Sequence, residues 1–195
     1  MSVRLAAGAM LALLVAFVPA GGQAATPTLQ QTAFLTCSEA NAMSVEQRRA
    51  LALEVIDAAA RHFQTQIPQD EQAGEHIGWL VRSGCTIAPE AYFTGVVARA
   101  VRVVGGGVEP PLQQPLDMEQ VLFLTCSGTG ALPRDQLKQV GTFIGKEAAA
   151  HYGLTPGPDW TPDYVAALVH NGCKMYPDAY YLGMIGRAVR AVAGR

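Results

Sequence analysis

The chain contains the same sequence motifs twice. The segment Phe34 to Ser38, with the sequence FLTCS, recurs unchanged at 123–127, and the pair Gly84-Cys85 recurs as Gly172-Cys173. The first motif returns after 89 residues and the second after 88. Two copies at a nearly fixed spacing indicate one folding unit used twice, so each copy should form the same structure.

The repeat is most faithful after the second cysteine of each copy. The identical residues of the first copy are Pro89, Ala91, Tyr92, Gly95, Arg99, Ala100, Val101 and Arg102, and those of the second are Pro177, Ala179, Tyr180, Gly183, Arg187, Ala188, Val189 and Arg190. We place the first unit at 33–104 and the second at 120–193. The segment 105–119 between them is rich in glycine and proline, which predicts a linker.

The N-terminal residues have the pattern of a secretory signal. One cation, Arg4, precedes an apolar run from Leu5 to Val18, and small residues follow near Ala24. We therefore predict a signal peptide at 1–24 and a periplasmic or secreted protein. The run is shorter than the roughly 20 residues that span a bilayer, so we expect no stable membrane insertion after cleavage. An uncleaved anchor is the alternative.

All four cysteines belong to the repeat. In an exported chain, cysteines spaced as two pairs indicate disulfides rather than free thiols. Four cysteines allow three pairings, and we predict Cys37 with Cys85 and Cys126 with Cys173, because a unit that once stood alone must have closed its own bridge. The wide spacing argues against a local zinc module and a C-x-x-C redox site, so no metal or other cofactor is expected.

Helical periodicity occurs at the same place in both units. Apolar residues recur at four-residue steps from Leu51 to Phe63, after a capping box that begins at Ser44, and the stripe is reproduced from Val140 to Tyr152. We interpret each stripe as the buried face of an amphipathic helix.

A second helix is predicted to end just before each late cysteine. It covers 76–82 in the first unit and 163–170 in the second, where Thr161 supplies an N-cap. Gly84 and Gly172 are interpreted as its C-terminal stops.

A third helix is predicted to open at Pro89 or Pro177 and to run through the paired arginines. No strand pattern competes with these helices. The predicted fold is therefore all-α, with two tandem small helical domains of three to four helices, each holding one intra-domain disulfide.

The sequence offers no recognisable catalytic machinery. It has no G-x-S-x-G turn and no glycine-rich loop after a strand, and its carboxylates do not recur as pairs. His62 and His151 occupy equivalent positions and have the chemistry of a general base or a pH sensor, but their helical neighbours are apolar or small. We interpret them as histidines at the edge of a helix face that covers the core, and predict that the protein is not an enzyme.

The charge of the chain argues against nucleic-acid binding. Loss of Arg4 with the signal leaves 13 cations against 16 acidic residues, a net charge of −3 with neutral histidines. The cations are scattered singly or in close pairs, whereas phosphate binding needs many along one stripe.

The tyrosines and arginines of the faithful segment are candidates for binding a protein partner. Arginines three residues apart lie on one helix flank, and a tyrosine seven residues before the first lies near that flank, which gives a cationic, partly apolar surface. The alternative is a buried tyrosine, helix packing through Gly95 and Gly183, and solvated arginines. The candidates are Tyr92, Arg99, Arg102, Tyr180, Arg187 and Arg190.

An exported helical unit with Thr-Cys near its start and a second cysteine 47 or 48 residues later resembles the HdeA/HdeB family of periplasmic acid-stress chaperones. The resemblance implies a disulfide-stapled helical domain that is an inactive dimer at neutral pH and that loosens in acid to expose apolar surface to unfolding client proteins. The stripes from Leu51 to Phe63 and from Val140 to Tyr152 would then be client surface. Because this chain is tandem, we expect either a homodimer or packing of one unit on the other in its place.

Together these features predict an exported, non-enzymatic protein that binds client proteins as an acid-activated holdase. Protonation of all 16 acidic residues and all four histidines would add 20 positive charges and take the net charge from −3 to +17. The alternative function is a constitutive binding module or inhibitor that acts on one specific protein partner.

Overall fold

The computed structural model describes residues 28–68, 70–113, 117–155 and 162–193. The predicted signal peptide at 1–24 and the predicted N-cap residue Thr161 lie outside these ranges, as does Pro115 of the predicted linker.

The described residues form α-helices and no β-strand beyond two isolated bridges, which confirms the all-α prediction. Helices α1 to α5 form repeat 1, and α6 to α10 form repeat 2. The helices are α1 (Leu29–Thr32), α2 (Cys37–Ala42), α3 (Val45–His62), α4 (Glu71–Ile87), α5 (Phe93–Gly105), α6 (Met118–Leu122), α7 (Cys126–Thr129), α8 (Arg134–His151), α9 (Pro162–Met175) and α10 (Tyr181–Ala193).

The duplication read from the sequence is reproduced in the helices. Helices α3 and α8 each have 18 residues, and α5 and α10 each have 13. In both repeats the last helix packs against the two long helices before it, α5 on α3 and α4, and α10 on α8 and α9. The equivalent helices begin at Leu29 and Met118, slightly before the units expected from sequence.

Both predicted disulfides are formed. Cys37 is bonded to Cys85 and Cys126 to Cys173, each with a Cα–Cα distance of 5.2 Å. Each bond joins the first residue of α2 or α7 to the last turn of α4 or α9. Closing loops of this length stabilises the fold by about 4 kcal/mol through the entropy of the unfolded chain.

The predicted amphipathic stripe of α3 is confirmed. Ser44 accepts a hydrogen bond from the amide of Gln47, whose side chain accepts one from the Ser44 amide, so the capping box is complete. The stripe from Leu51 to Phe63 is buried. In α8 the equivalent stripe is also buried apart from Tyr152, which is half-buried.

The prediction that Gly84 and Gly172 stop the second helix is wrong. Helix α4 continues three residues past Gly84 to Ile87, and α9 continues past Gly172 to Met175. A Cβ on Gly84 would lie 2.8 Å from Cγ1 of Val96 in α5, and one on Gly172 would collide with Met184 in α10. These glycines therefore allow two helices to approach closely, and neither ends its helix.

The predicted start of the third helix is also wrong. Helices α5 and α10 begin at Phe93 and Tyr181, four residues after the prolines. The intervening residues form a turn that ends in a single-residue bridge between Tyr92 and Thr36. Around this bridge the amide of Cys37 donates to the carbonyl of Ala91 at 2.8 Å, and the amide of Phe93 donates to the carbonyl of Leu35 at 2.8 Å. The same pairing recurs in repeat 2. This short bridge uses backbone groups that a helix would otherwise have taken.

Buried residues of both repeats belong to one hydrophobic core. Its largest fully buried side chains include Phe34 and Phe63 of repeat 1 and Phe123 of repeat 2. Helix α6 of repeat 2 contacts α1 and α3 of repeat 1. Within the described ranges, every helix is too short or too polar to cross a bilayer.

Candidate functional site

The repeats contact each other through equivalent surfaces. A Cβ on Gly95 of α5 would lie 2.9 Å from the ring of Tyr180, and a Cβ on Gly183 of α10 would lie 3.1 Å from the ring of Tyr92. Each tyrosine thus lies against the glycine of the other repeat. Each repeat therefore uses the same two residues to contact the other, as in an isologous dimer interface. The repeats are thus related by an approximate twofold axis.

Two equivalent groups of aromatic side chains lie where the repeats meet. The ring of Phe34 lies 5.6 Å from His151 and 6.1 Å from Tyr152 of the other repeat. In return, the ring of Phe123 lies 5.3 Å from His62 and 5.9 Å from Phe63.

The phenylalanine of each FLTCS motif therefore contacts the histidine-aromatic pair at the end of the long helix in the opposite repeat. Aromatic pairs at these distances stabilise by about 0.5–1.5 kcal/mol beyond the area they bury.

One side of the interface carries a hydrogen bond that the other lacks. The hydroxyls of Tyr92 and Tyr152 are 2.7 Å apart, whereas Phe63, the equivalent of Tyr152, has no hydroxyl. Burial raises the pKa of Tyr92 and of Tyr152, so both phenols are neutral at physiological pH. The approximate symmetry is thus broken at the chemical level.

The two equivalent histidines have different environments. His62 has only 9 % of its surface exposed and its Nε2 has no hydrogen-bond partner, whereas His151 is exposed. Burial lowers the pKa of His62 below its ordinary value of 6.5, because the imidazolium would lose its water.

Charged groups around His62 modify this shift in both directions. The carboxylates of Glu109, Glu119 and Asp117 raise its pKa, and the guanidinium of Arg102 lowers it further, but burial has the largest effect. His62 is therefore a neutral side chain at the centre of the interface near pH 7. Sequence alone placed it at the edge of the core and gave no reason to separate it from His151.

The structure brings the six tyrosine and arginine candidates together at the boundary between the repeats. Tyr92 is buried there, and burial raises the pKa of Tyr180 to about 12. The guanidinium of Arg102 lies 5.2 Å above the ring of Phe63, and that of Arg190 lies 5.4 Å above the ring of Tyr152. Tyr92 thus takes the buried position that the sequence allowed as the alternative, whereas Tyr180 is half-buried.

The remaining two arginines face solvent. Arg99 and Arg187 are exposed, and Arg99 reaches across the boundary to donate a hydrogen bond to the backbone oxygen of Asp178 at 3.4 Å. Arg190 forms an ion pair with Glu90 across the boundary, at 3.9 Å. Both contacts are surface-exposed and so add little stability.

A cleft opens between α5 and α10 on the approximate twofold axis. Its volume is about 600 Å³, and buried Leu122 and Leu182 form part of its wall. Equivalent residues of the two repeats line it in pairs: Tyr92 and Tyr180, Gly95 and Gly183, and Arg99 and Arg187.

One contributor to the interface, Glu109, was missed by sequence reasoning. In repeat 1 the carboxylate of Glu39 accepts hydrogen bonds from the amide and hydroxyl of Thr36 at 2.7 and 2.8 Å. Repeat 2 has Gly128 at the equivalent place, and Glu109 from the predicted linker accepts from the amide and hydroxyl of Thr125 at 2.9 and 2.6 Å.

The signal for Glu109 was present in the sequence. The motif Thr-x-x-Glu at Thr36 becomes Thr-x-x-Gly at Thr125, which leaves the second helix start without its carboxylate. A Cβ on Gly128 would collide with the Glu109 carboxylate, so the glycine makes room for the replacement. The segment around Glu109 is therefore tied to repeat 2.

Among the described side chains, no three or more of His, Cys, Asp and Glu lie together in a way that would hold a metal ion. Comparison with known proteins found no matching family model, curated protein or solved structure.

Proposed function

We propose that the protein is an exported, non-enzymatic holdase whose two repeats cover each other's client-binding surface at neutral pH and separate in acid. The observation that carries this proposal is the aromatic interface with neutral His62 buried inside it. The apolar faces that would meet a client are the faces that the repeats now bury against each other.

Protonation of His62 supplies an acid-sensitive step. The pKa of His62 is lower in the folded protein than the 6.5 of the unfolded chain, so the unfolded or opened state binds more protons. Its contribution to stability is complete above pH 6.5 and is lost as the pH falls from 6.5 through the lowered folded-state value. A charged imidazolium among Phe63 and Phe123 would favour separation of the repeats.

The carboxylates add to this effect in stronger acid. Many carboxylates become neutral there, including solvated ones that hold no partner. At the same time the net charge of the predicted mature chain would rise toward +17, so the repeats would repel each other.

The disulfides determine what remains after separation. Both bonds lie within a repeat, and all four cysteines are used, so no disulfide holds repeat 1 to repeat 2. While the interface opens, the disulfide of repeat 1 would still join α2 to α4, and that of repeat 2 would still join α7 to α9. Two disulfides are also compatible with an oxidising compartment outside the cytoplasm, which supports the proposed export. The resemblance to the acid-stress chaperones points in the same direction.

The test is the aggregation of an acid-labile client protein, followed by light scattering at pH 7 and at pH 2 to 3, with an apolar dye to report exposed surface. We expect the oxidised protein to suppress aggregation and bind the dye only in acid, and the reduced protein to protect poorly. Equal aggregation with and without the protein at both pH values would refute the holdase function.

A further inference from the structure

We infer that the cleft between α5 and α10 binds an anionic amphiphile, a small molecule with an apolar chain and a carboxylate or sulfate head. This site borders the aromatic interface, with which it shares Tyr92, and it is open at neutral pH while the repeats are packed together. Its size, its wall and its charge each point to this class of ligand.

The wall of the cleft suits an apolar chain. Leu122 and Leu182 are buried in it, and the glycines that seat the two tyrosine rings add no polar side chain. At the mouth, Met175 and Tyr176 line the cleft with 68 % and 62 % of their surfaces exposed. These two side chains offer apolar surface at the rim that a bound chain would cover.

The charge at the mouth suits an anionic head. Arg99 and Arg187 both line the cleft and are both exposed. A ligand head would displace the long hydrogen bond, 3.4 Å, that the Arg99 guanidinium donates to the backbone oxygen of Asp178. Asp178 is the acidic residue among the lining side chains, which leaves an excess of positive charge. Guanidinium groups bind carboxylate and sulfate oxygens through paired hydrogen bonds.

The size of the cleft favours a small molecule over a protein. Its volume of about 600 Å³ falls within the range of roughly 300–1,000 Å³ that small-ligand pockets occupy. A stable protein partner would instead bury about 800 Å² on this chain, which calls for a broad surface and not a cleft.

The test is titration calorimetry of the protein at pH 7 with dodecanoate below its critical micelle concentration. Dodecyl maltoside and dodecyltrimethylammonium serve as neutral and cationic probes of the same chain length. The double variant Arg99→Glu and Arg187→Glu removes the proposed head site. The matched control Arg49→Glu and Arg134→Glu changes the net charge equally at two exposed arginines elsewhere.

We expect saturable binding of one dodecanoate, at least tenfold weaker binding in the cleft variant, and unchanged affinity in the control. Amide chemical shifts should move at Gly95 and Gly183. The inference is overturned by an absence of saturable binding, by equal affinity for the neutral probe, or by equal losses in both double variants. Tighter binding of an acidic peptide than of dodecanoate would also overturn it, in favour of a protein ligand.

Discussion

Single residues break the symmetry of the repeat where it matters for pH. His62 and His151 are equivalent in sequence, yet the first is buried between the repeats and the second is exposed. A histidine affects the pH dependence of stability only if its pKa differs between the folded and unfolded states. Of this pair, His62 is therefore the residue that should make stability sensitive to mild acid.

The variant His62→Phe should flatten the pH dependence of stability. Phenylalanine keeps an aromatic ring beside Phe63 and Phe123 but binds no proton. In the unchanged protein the melting temperature should fall as the pH is lowered from 7 through 6.5 toward 5, and in the variant this fall should be smaller. Circular dichroism melting curves at several pH values measure the slope, which is unaffected by any constant change in packing.

The matched control is His151→Phe at the equivalent, exposed position. It should leave the slope of melting temperature against pH unchanged. If both variants flatten the slope equally, or neither does, then His62 is not the titrating group.

The residue-level predictions that the structure confirmed are those that depend on the repeat and on local helical spacing. The cysteine pairs and the stripe from Leu51 to Phe63 were found because a duplication fixes the pairing and a helix fixes the spacing. The burial of His62 could not be found in this way, because it depends on Phe123, which lies 61 residues further along the chain.

At the scale of elements, each repeat begins its second helix with a threonine and a carboxylate, but from different sources. Helix α2 uses Glu39 from its own first turn, while α7 uses Glu109 from the segment between the repeats. The two solutions make a direct exchange experiment feasible.

The variant Glu109→Ala should destabilise the protein by about 1–3 kcal/mol, because it removes a charged acceptor from the amide and hydroxyl of Thr125. Adding Gly128→Glu to this variant should restore much of the lost stability, because it gives repeat 2 the same capping box that Thr36 and Glu39 form in repeat 1. Chemical denaturation measures both changes.

The control for this exchange is Gly128→Glu alone, which should add little stability because the Glu109 carboxylate already fills the site. If adding Gly128→Glu fails to stabilise the Glu109→Ala variant, the two carboxylates do not occupy equivalent sites.

Glycines in the helices have distinct roles that a single helix sequence does not reveal. Gly84 looked like a stop, but it is a close contact between α4 and α5. The distance between two helices depends on every side chain between them. For this reason the helix ends and the packing of Tyr92 and Tyr180 against glycines could not be assigned from sequence, although the helices themselves could.

The variant Gly95→Ala should destabilise the protein by about 1–3 kcal/mol, because overpacking forces the ring of Tyr180 to move. The added Cβ would lie 2.9 Å from that ring. Gly145→Ala in α8 is the matched control, since no atom lies within 4 Å of its added Cβ. It should stabilise by about 0.5–1 kcal/mol through helix propensity. Equal changes of melting temperature in the two variants would argue against close packing of the Tyr180 ring on Gly95.

At the scale of the whole molecule, the two repeats resemble a dimer joined into one chain. Every residue type needed for the reciprocal contacts is present in repeat 1 by itself: a tyrosine with its glycine seat, and a phenylalanine with its histidine-aromatic pair. These residues are Tyr92, Gly95, Phe34, His62 and Phe63.

Repeat 1 produced alone, as residues 28–113, should therefore form a homodimer at pH 7. We expect sedimentation to show a reversible association in which Tyr92 of each copy lies against Gly95 of the other. The variant Gly95→Ala should weaken this association. A stable monomer that binds no apolar dye would show that the exposed face has another way to be covered.

The covalent order of the repeats also sets a waiting time. Chains grow from the N-terminus at roughly 5–20 residues per second, and equivalent residues of the two repeats are 88 or 89 positions apart. The residues of the aromatic face in repeat 1 are therefore made about 4–18 seconds before their counterparts in repeat 2. Any chaperone that attends this protein would be needed in that interval. Once repeat 2 arrives, the short connecting segment makes pairing within the chain faster than pairing with a neighbouring molecule.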